Sequence, residues 1–240
     1  MLQASIASRL ISTGIWLKFF DRRSHRRGIP RKGYEIGMVQ SPNVTKQELL
    51  VRYPERVARN GHSGGVFWLT GLSGAGKSTL ASRAERGLFD CGWSPIVLDG
   101  DNLRTGLNCD LGFEPADRVE NIRRVGELAA LFASAGHIVL TAFISPYARD
   151  RMMARQASAA FGFHEIYLSA SLQSCENRDV KGLYRKARRG EIADFTGISA
   201  PYEAPEKPEL QINTGDATLE VCVQQLVGYI KGMCQLTAKN

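Results

Sequence analysis

Short apolar runs alternate with longer stretches of helical periodicity over most of the chain. The first run reads VFWLT and is followed at once by a glycine-rich turn and a helical stretch over residues 77–91. Five such runs predict buried strands, since each is a short and mainly apolar segment. The predicted strands span residues 66–70, 95–99, 137–143, 163–169 and 209–214.

Helical periodicity separates these strands. Two further stretches hold apolar residues near helical spacing: Val119, Ile122, Leu128, Leu131 and Phe132 in the first, and Leu219, Val223, Leu226, Val227 and Ile230 in the second. Strands that alternate with helices indicate a parallel sheet, because parallel strands need crossover helices that cover both faces. The predicted fold class is therefore α/β, with a central parallel sheet flanked by helices. Ligand sites in such folds lie beyond the carboxyl ends of the strands.

Net charge changes this picture only near the N-terminus. The 240-residue chain has a formal net charge of +7, yet residues 1–37 alone carry eight Lys and Arg residues against two acidic ones. The remainder is close to neutral, so it lacks the broad basic surface that typifies nucleic-acid binding. We therefore expect no nucleic-acid partner.

Cysteines and histidines bear on the compartment and on metals. The five cysteines are widely spaced without a C-x-x-C pair, and none of the four histidines has a partner at helical metal-binding spacing. This pattern disfavours a disulfide framework and a structural metal site, and a reducing compartment is the simpler interpretation. We therefore expect a cytoplasmic protein.

The first 44 residues form a basic extension that is predicted to be disordered. Its apolar stretch, residues 6–20, is interrupted by two basic residues. It is too short and too charged to span a bilayer, so no membrane association is expected. The Arg-rich and Ser-rich composition also fits an organelle transit peptide, and translation from an upstream start is a third interpretation, with Met38 as a natural second start. The folded domain is predicted over residues 45–240.

A glycine-rich sequence follows the first predicted strand. Residues 71–78 read GLSGAGKS and match G-x-x-x-x-G-K-[ST], the phosphate-binding loop or P-loop. Backbone N–H groups of this motif face the phosphates, Lys77 reaches the outer phosphates and Ser78 binds Mg²⁺. A turn that merely joins strand to helix is the alternative, which the complete motif in this position disfavours. With ATP and Mg²⁺ as expected cofactors, the predicted ATP-binding residues are Gly71, Leu72, Ser73, Gly74, Ala75, Gly76, Lys77, Ser78 and Thr79.

The P-loop alone does not distinguish a kinase from a GTPase or from a regulatory ATP-binding module. No N-K-x-D guanine motif occurs in the chain, which disfavours a GTPase. A motor or transporter ATPase would need a longer sheet and a Walker B strand, for which the length after the P-loop leaves too little room. A small-molecule kinase on a P-loop fold remains, with a non-catalytic ATP-binding module as the alternative.

Two acids alternate at the end of the second predicted strand. Asp99 and Asp101 stand in the sequence DGDN. On a P-loop fold, acids at this position face the magnesium ion and the acceptor hydroxyl. We assign Asp99 to the Mg²⁺ side and Asp101 as the catalytic base, beside Lys77 as the phosphate-binding catalytic residue. The alternative is a polar Asp-Gly turn that caps the next helix.

Four segments together resemble the adenylylsulfate (APS) kinase family, in the order that the family shows. They read DGDNLRTGLNCDLGF, ADRVENIRRVGELAALFASAG, FISPY and RDVKGLYRKARRGEIADFTGISAPYEAP. The resemblance covers about residue 45 to the C-terminus. It implies transfer of the γ-phosphoryl group of ATP to the ribose 3′-hydroxyl of adenosine 5′-phosphosulfate, giving PAPS and ADP in sulfate assimilation. It also implies a homodimer and raises an association with ATP sulfurylase as an expectation. The runner-up is a different P-loop kinase of a small metabolite.

The resemblance also implies which residues contact APS. Arg104, Arg118 and Phe113 suit a ligand that joins an anionic phosphosulfate to an adenine ring. Taken in isolation, Arg118 and Arg123 could be exposed helix charges beside Glu120, and Phe113 could belong to the core. The residues that match the family's APS-contacting positions are Asp101, Arg104, Phe113, Arg118, Asn121, Ile144, Ser145, Lys181 and Phe195.

Ser145 matches the serine for which a phosphoenzyme intermediate has been proposed in this family. In-line transfer needs no covalent intermediate when the base and the metal are in place. We therefore expect Ser145 to position or hydrogen-bond the substrate.

A basic and glycine-punctuated segment, residues 178–205, is predicted to be a mobile lid. A positively charged cover excludes water and neutralises charge that develops on the phosphates. The alternative is a solvated amphipathic helix. Val180 departs from the family, in which proline commonly precedes the lysine, and leaves the backbone freer there. The lid's basic residues are Arg178, Lys181, Arg185, Lys186, Arg188 and Arg189.

Overall fold

The computed structural model describes residues 43, 45 and 47–236. The predictions of disorder and of a targeting role for residues 1–44 fall almost wholly outside these residues, and the predicted domain boundary stays a prediction. All helices and strands given below lie in one compact unit that begins at Val51. Among the described residues, no helix combines the length and the apolar character needed to cross a membrane.

Five strands form one sheet in which every neighbouring pair is parallel. The order across the sheet is β2-β3-β1-β4-β5. The predicted parallel sheet is confirmed, and each predicted strand overlaps one observed strand. The strands are β1 Gly65–Thr70, β2 Pro95–Asp99, β3 Ile138–Ala142, β4 Phe163–Leu168 and β5 Leu210–Ile212.

Eight helices accompany the sheet within the described residues. They are α1 Tyr53–Asn60, α2 Lys77–Phe89, α3 Gly100–Arg104, α4 Pro115–Ser134, α5 Ala148–Ala157, α6 Leu172–Arg178, α7 Leu183–Arg188 and α8 Leu219–Cys234. Their starts follow ordinary chemistry: α4 begins at Pro115, whose fixed φ suits the first helical turn. The Thr218 hydroxyl caps α8 by accepting a hydrogen bond from the backbone N–H of Val221.

Two apolar layers cover the two faces of the sheet. Side chains alternate along β1, so Phe67 and Leu69 join the layer that contains α2 and α8, whereas Val66 and Trp68 join the layer that contains α4. Both faces of β1 are buried along its whole length. This central strand therefore fixes the loop that follows it between two packed layers.

The strand register brings three loops to one edge of the sheet. Ala142, the last residue of β3, pairs with Leu69 of β1 and with Asp99 of β2. The P-loop, the DGDN sequence and the segment after β3 therefore leave the sheet side by side. The motifs gather at the carboxyl ends of the strands, as the parallel topology predicts.

Candidate active site

The P-loop has a backbone that only glycine accepts at two of its turns. Gly74 and Gly76 have φ of +75° and +91°, in the left-handed region that L-residues avoid. A Cβ atom added to Gly74 would also lie 2.9 Å from the carbonyl oxygen of Cys175. The glycines thus allow both the turn and the close packing of the loop against α6.

Neighbouring side chains anchor the outward carbonyls of the P-loop. The carbonyl oxygens of residues 73–75 accept hydrogen bonds from three donors in turn. The Tyr184 hydroxyl lies at 3.0 Å, an Arg178 guanidinium nitrogen at 3.3 Å and the Thr214 hydroxyl at 2.8 Å. With these carbonyls held from outside, the loop presents its amide groups to an anion. Sequence analysis assigned no such role to these three residues.

Lys77 begins helix α2 and is buried, with 8% of its surface exposed. Its Nζ atom donates hydrogen bonds to the carbonyl oxygens of Gly71 at 2.8 Å and Leu72 at 2.7 Å. Burial lowers the pKa of Lys77 to about 8, while the charge of Asp99 acts in the opposite direction. A buried ammonium group of this kind gains from any anion that binds beside it.

Ser78 and Asp99, the two residues predicted to bind Mg²⁺, contact each other beside the P-loop. The Ser78 hydroxyl donates a hydrogen bond of 2.6 Å to one carboxylate oxygen of Asp99. The other oxygen accepts from the backbone N–H groups of Asp101 at 3.0 Å and Asn102 at 3.4 Å, so it caps α3. The capping interpretation of the DGDN sequence is therefore confirmed for Asp99, and its predicted Mg²⁺ role stays a prediction. A hydroxyl and a carboxylate beside a phosphate-binding loop are the oxygen ligands that suit Mg²⁺.

Asp101 lies next to the lid. Its carboxylate forms an ion pair with the ammonium group of Lys181. Both side chains are largely exposed, with relative accessibilities of 61% for Lys181 and 70% for Asp101. The structure thus brings together the acid predicted as catalytic base and the lid lysine predicted to contact the substrate, 80 residues apart in sequence.

Arg104 stacks on Phe113. Its guanidinium carbon lies 4.3 Å from the centroid of the Phe113 ring, and the ring itself is 68% exposed. The alternative that Phe113 belongs to the core is therefore wrong. Burial, followed by the nearby charge of Arg118, lowers the pKa of Arg104. An anion bound beside Arg104 and Arg118 would offset this cost, since it favours the charged form of a guanidinium group.

Arg118 links helix α4 to the lid. Its guanidinium donates to the carbonyl oxygen of Asp194 at 2.7 Å and to the hydroxyl of Thr196 at 3.2 Å. Arg123, by contrast, pairs with Glu120 on the surface of the same helix at 2.7 Å. The interpretation as an exposed helix charge thus holds for Arg123, whereas Arg118 joins two elements.

Two further predicted substrate residues are buried. Asn121 is 6% exposed, and its side-chain oxygen accepts a hydrogen bond of 3.0 Å from the amide of Asn108. Phe195 is 8% exposed and packs edge-on against the Tyr184 ring at 5.1 Å. Their predicted contacts with substrate stay predictions.

Ser145 follows β3 and is 2% exposed. Its hydroxyl accepts a hydrogen bond from the indole N–H of Trp68 and donates one to the hydroxyl of Thr70, both at 3.0 Å. Thr70 in turn donates to the carbonyl oxygen of Ile144 at 2.7 Å. The protein therefore already uses the Ser145 hydroxyl as donor and as acceptor. Trp68 and Thr70 were not predicted as site residues. The sequence of a buried strand does not show which of its side chains bind the segment that follows a neighbouring strand.

The lid segment combines short helices with irregular chain. Helix α7 carries three of the six basic residues, Arg185, Lys186 and Arg188, yet Tyr184 and Ala187 of the same helix are buried. Val180 is 91% exposed. The segment is thus neither a single solvated helix nor a detached loop, since one side of α7 packs into the core.

A phosphate-binding loop that faces paired acids and a basic lid across one edge of a parallel sheet is the arrangement of a P-loop small-molecule kinase. The protein is an enzyme of this class. The model of the family described as adenylylsulphate kinase matches residues 63–213. The chain belongs to this family.

Individual relatives agree with this assignment. The adenylyl-sulfate kinase of Acaryochloris marina is 52% identical over 203 residues, which cover 84% of this chain and 99% of the relative. A structure of the Mycobacterium tuberculosis APS kinase in complex with AMPPNP and APS superposes with a TM-score of 0.68 at 48% identity and covers 70% of this chain and 98% of that one. A hexameric APS kinase from Thiobacillus denitrificans, 31% identical with a TM-score of 0.57, covers 78% of this chain, which spans 32% of it.

Proposed function

We propose that this protein transfers the γ-phosphoryl group of ATP to the 3′-hydroxyl of APS, giving PAPS and ADP. The observation that carries this proposal is the meeting of three segments at one sheet edge. The P-loop serine touches Asp99 at the end of β2, and the lid lysine Lys181 lies against Asp101 two residues further on. A donor-side loop and an acceptor-side acid thus lie at the same edge of the sheet.

On the donor side, residues 71–79 bind the phosphates of ATP. The anchored carbonyls of the P-loop leave its amide groups facing the anion, and Lys77 adds a buried positive charge. Ser78 and Asp99 would hold Mg²⁺, which neutralises charge on the phosphates when bound. The Mycobacterium tuberculosis relative in complex with AMPPNP supports the nucleotide assignment.

On the acceptor side, Asp101 takes the proton of the attacking hydroxyl. An exposed carboxylate at the end of β2 can reach a hydroxyl that binds above the sheet edge. Arg104 and Arg118 bind the phosphosulfate, and Phe113 offers an exposed ring to the adenine. The remaining proposed APS contacts are Asn121, Ile144, Ser145, Lys181 and Phe195.

The lid, residues 178–205, closes the cleft. Arg118 already joins the acceptor side to the lid through Asp194 and Thr196. Closure of this segment excludes water, which would otherwise compete with APS for the phosphoryl group. Lys181 moves with the lid and neutralises charge beside Asp101.

We also propose that the protein acts as a homodimer in a reducing, cytoplasmic compartment. The hexameric relative gives support for self-association of the fold. Light scattering after size-exclusion chromatography measures the mass of the particle, and co-purification with ATP sulfurylase tests whether that enzyme associates.

The test of the proposed function is a coupled ADP-release assay with ATP and Mg²⁺, comparing APS with shikimate, gluconate and no acceptor. ADP release that depends on APS supports the proposal. Release with another acceptor favours a different small-metabolite kinase, and ATP binding without acceptor-dependent release favours a non-catalytic module. Either result contradicts the proposed activity.

A substitution at the proposed base sharpens this test. Asp101→Asn should leave ATP binding largely intact and lower turnover by about two to four orders of magnitude, since general-base catalysis contributes about that factor. Asp90→Asn is the matched control, because Asp90 is an exposed acid that pairs with Arg86 at the end of α2 that lies farthest from the P-loop. Unchanged turnover of Asp101→Asn would refute the assignment of the base.

A further inference from the structure

The segment after β3 has a backbone conformation that needs support. Ser145 has a φ of +39° and is one of two non-glycine residues with positive φ within the described residues. Side chains with a Cβ atom rarely adopt this conformation unless surrounding contacts over-determine it. The same segment carries Ile144 and Ser145, both assigned above to the acceptor substrate.

Residues of β1 form hydrogen bonds with the Ser145 side chain and with the Ile144 carbonyl. Trp68 and Thr70 bind the Ser145 hydroxyl, and Thr70 also binds the Ile144 carbonyl. These contacts fix the hydroxyl but leave the Ser145 carbonyl to another donor. The conformation at φ +39° therefore depends on a partner for that carbonyl.

Arg151 of helix α5 is that partner. Its NH1 nitrogen donates to the Ser145 carbonyl oxygen at 2.7 Å, and NH2 donates to the carbonyl oxygen of Glu203 at 2.8 Å. Its Nε nitrogen forms an ion pair with Glu165 of β4. Arg151 is 3% exposed, so every nitrogen of its fork has an acceptor inside the protein.

A buried guanidinium of this kind is costly to keep. Its desolvation is offset only when the geometry of the fork satisfies all partners, which lysine cannot reproduce because it offers one nitrogen in place of three. The three partners lie in separate parts of the site: the segment after β3, β4, and Glu203 near the end of the lid. Arg151 thus sets the position of the acceptor segment relative to the lid.

We infer that Arg151 is a positioning residue for the phosphoryl transfer. It touches no reacting atom; through the Ser145 carbonyl it holds Ser145 in the left-handed conformation of the segment that receives the acceptor, and Glu165 fixes the plane of its guanidinium group. This inference rests on the proposed function, because it concerns the segment assigned to APS. Neither the P-loop nor its anchors contact Arg151, so its effect belongs to the acceptor side.

The test compares Arg151→Lys with Arg155→Lys in the ADP-release assay. Arg155 lies one turn further along α5, pairs with Glu209 at 2.7 Å and lies 3.8 Å from Glu165, so it controls for loss of a helix α5 guanidinium that also faces Glu165 but does not bind the Ser145 carbonyl. For Arg151→Lys we expect kcat/KM for APS to fall about 10- to 100-fold, the loss that a misplaced substrate contact produces. KM for ATP should change less than about twofold, and Arg155→Lys should change neither parameter more than about threefold.

A second substitution separates positioning from general destabilisation. Ser145→Gly removes the Cβ atom that makes positive φ unfavourable. Arg151→Lys should therefore lower kcat/KM for APS less in the Ser145→Gly background than in the wild type. The inference would be overturned if the fold-losses in kcat/KM of the two single variants simply multiplied in the double variant. It would also be overturned if KM for ATP and KM for APS rose together.

If Arg151→Lys does not fold, Glu165→Gln carries the same test. It removes the charge that pairs with Arg151 and should lower kcat/KM for APS selectively, and an unselective effect would overturn the inference.

The wild-type protein distinguishes failure of this inference from failure of the proposed function on which it rests. If wild-type protein shows no APS-dependent ADP release, the proposed function fails, and the role of Arg151 in it fails with it. If the wild type responds to APS and Arg151→Lys behaves like Arg155→Lys, the function stands and the positioning role is wrong.

Discussion

At the scale of single residues, hydrogen bonds to the outward carbonyl oxygens of the P-loop determine how rigidly the loop holds the amide groups that bind phosphate. Tyr184 reaches from α7 to the Ser73 carbonyl at 3.0 Å, and its ring is fully buried. A loop rich in glycine has many alternative conformations, so each anchored carbonyl removes some of them. Tyr184 therefore acts on ATP binding without touching the nucleotide.

We predict that Tyr184→Phe raises KM for ATP about three- to tenfold, because one intramolecular hydrogen bond contributes about 0.5–1.5 kcal/mol. KM for APS should stay within about twofold. Tyr229→Phe is the matched control, since the Tyr229 hydroxyl binds His164 near the amino end of β4, whereas the P-loop lies at the carboxyl ends of the strands. Initial-rate kinetics with each substrate varied in turn make the comparison, and equal effects of the two substitutions would contradict this role.

Ser145 gives a second prediction at this scale. Its hydroxyl already accepts from Trp68 and donates to Thr70, an arrangement that suits a structural hydroxyl better than a nucleophile. We expect Ser145→Ala to keep turnover within about tenfold of the wild type, while the loss of a buried hydrogen-bond partner lowers the free energy of unfolding by about 1–3 kcal/mol. Denaturant unfolding and the ADP-release assay measure the two effects.

A covalent mechanism makes the opposite forecast for the same variant. If Ser145 carried the phosphoryl group, Ser145→Ala would lose turnover by several orders of magnitude, with the same loss of stability. Phosphate trapped on Ser145 with kinetics that match turnover would likewise contradict direct transfer.

At the scale of secondary structure, the strands could be predicted because they are apolar in themselves. Strand β2 coincides with the predicted residues 95–99, and β1 begins one residue before its predicted start. Helix α4 covers the predicted helical stretch and buries Ile122 as expected, whereas the predicted apolar residue Leu131 is 66% exposed and Ala129 and Ala133 lie on the buried face instead. These elements bury apolar side chains at a regular spacing, which is the property that a sequence displays directly.

Helix α5 could not be predicted in this way. Its sequence, ARDRMMARQA, buries Asp150 and Arg151 together with Ala154. The buried face is satisfied by partners such as Glu165 and the Ser145 carbonyl, which lie elsewhere in the sequence. The residues of the candidate site likewise fall into a group that the sequence predicts and a group that it does not. The P-loop and DGDN residues are contiguous motifs, whereas Trp68, Thr70 and Arg151 acquire their roles only from three-dimensional neighbours.

The contact between β4 and α8 carries a pH-dependent contribution to stability. His164 stacks on Phe67 with ring centroids 4.9 Å apart, and its Nδ1 atom lies 2.9 Å from the Tyr229 hydroxyl. Burial lowers the pKa of His164 below its ordinary 6.5, opposed by the charge of Glu209 and reinforced by that of Arg155. Between the lowered pKa and 6.5, the unfolded chain binds more protons than the folded one. The free energy of unfolding therefore falls as pH drops through 6.5.

We predict that His164→Phe removes this part of the pH dependence, since phenylalanine keeps a ring against Phe67 and cannot take up a proton. Denaturant unfolding of both proteins at about pH 7.5 and about pH 5.5 measures it. The wild type should lose more stability than the variant over this interval. An equal loss in both proteins would place the pH dependence in other groups.

At the scale of the whole molecule, one sheet edge collects the chemistry. The P-loop follows β1, Asp99 ends β2 and Ser145 follows β3, while the lid joins α6 to β5. The parallel register places the ends of β1, β2 and β3 level with one another. Segments far apart in sequence thus meet at one edge of the sheet, because parallel strands separated by crossover helices all end at the same side.

The basic extension offers a test of whether binding is local or long-range. Residues 1–37 carry most of the net charge of +7, and such a charge can attract anionic substrates from a distance. Every residue proposed to bind ATP or APS lies after residue 70, and cations such as Lys77 and Arg104 are placed within the fold itself.

We therefore predict that a chain beginning at Met38 keeps kcat and both KM values within about twofold of the full chain at physiological salt, where exposed charges are screened beyond about 8 Å. Rates of the two chains measured over a series of salt concentrations should run in parallel. A KM for APS that rises on truncation, with a difference that disappears at high salt, would show that the extension attracts substrate electrostatically.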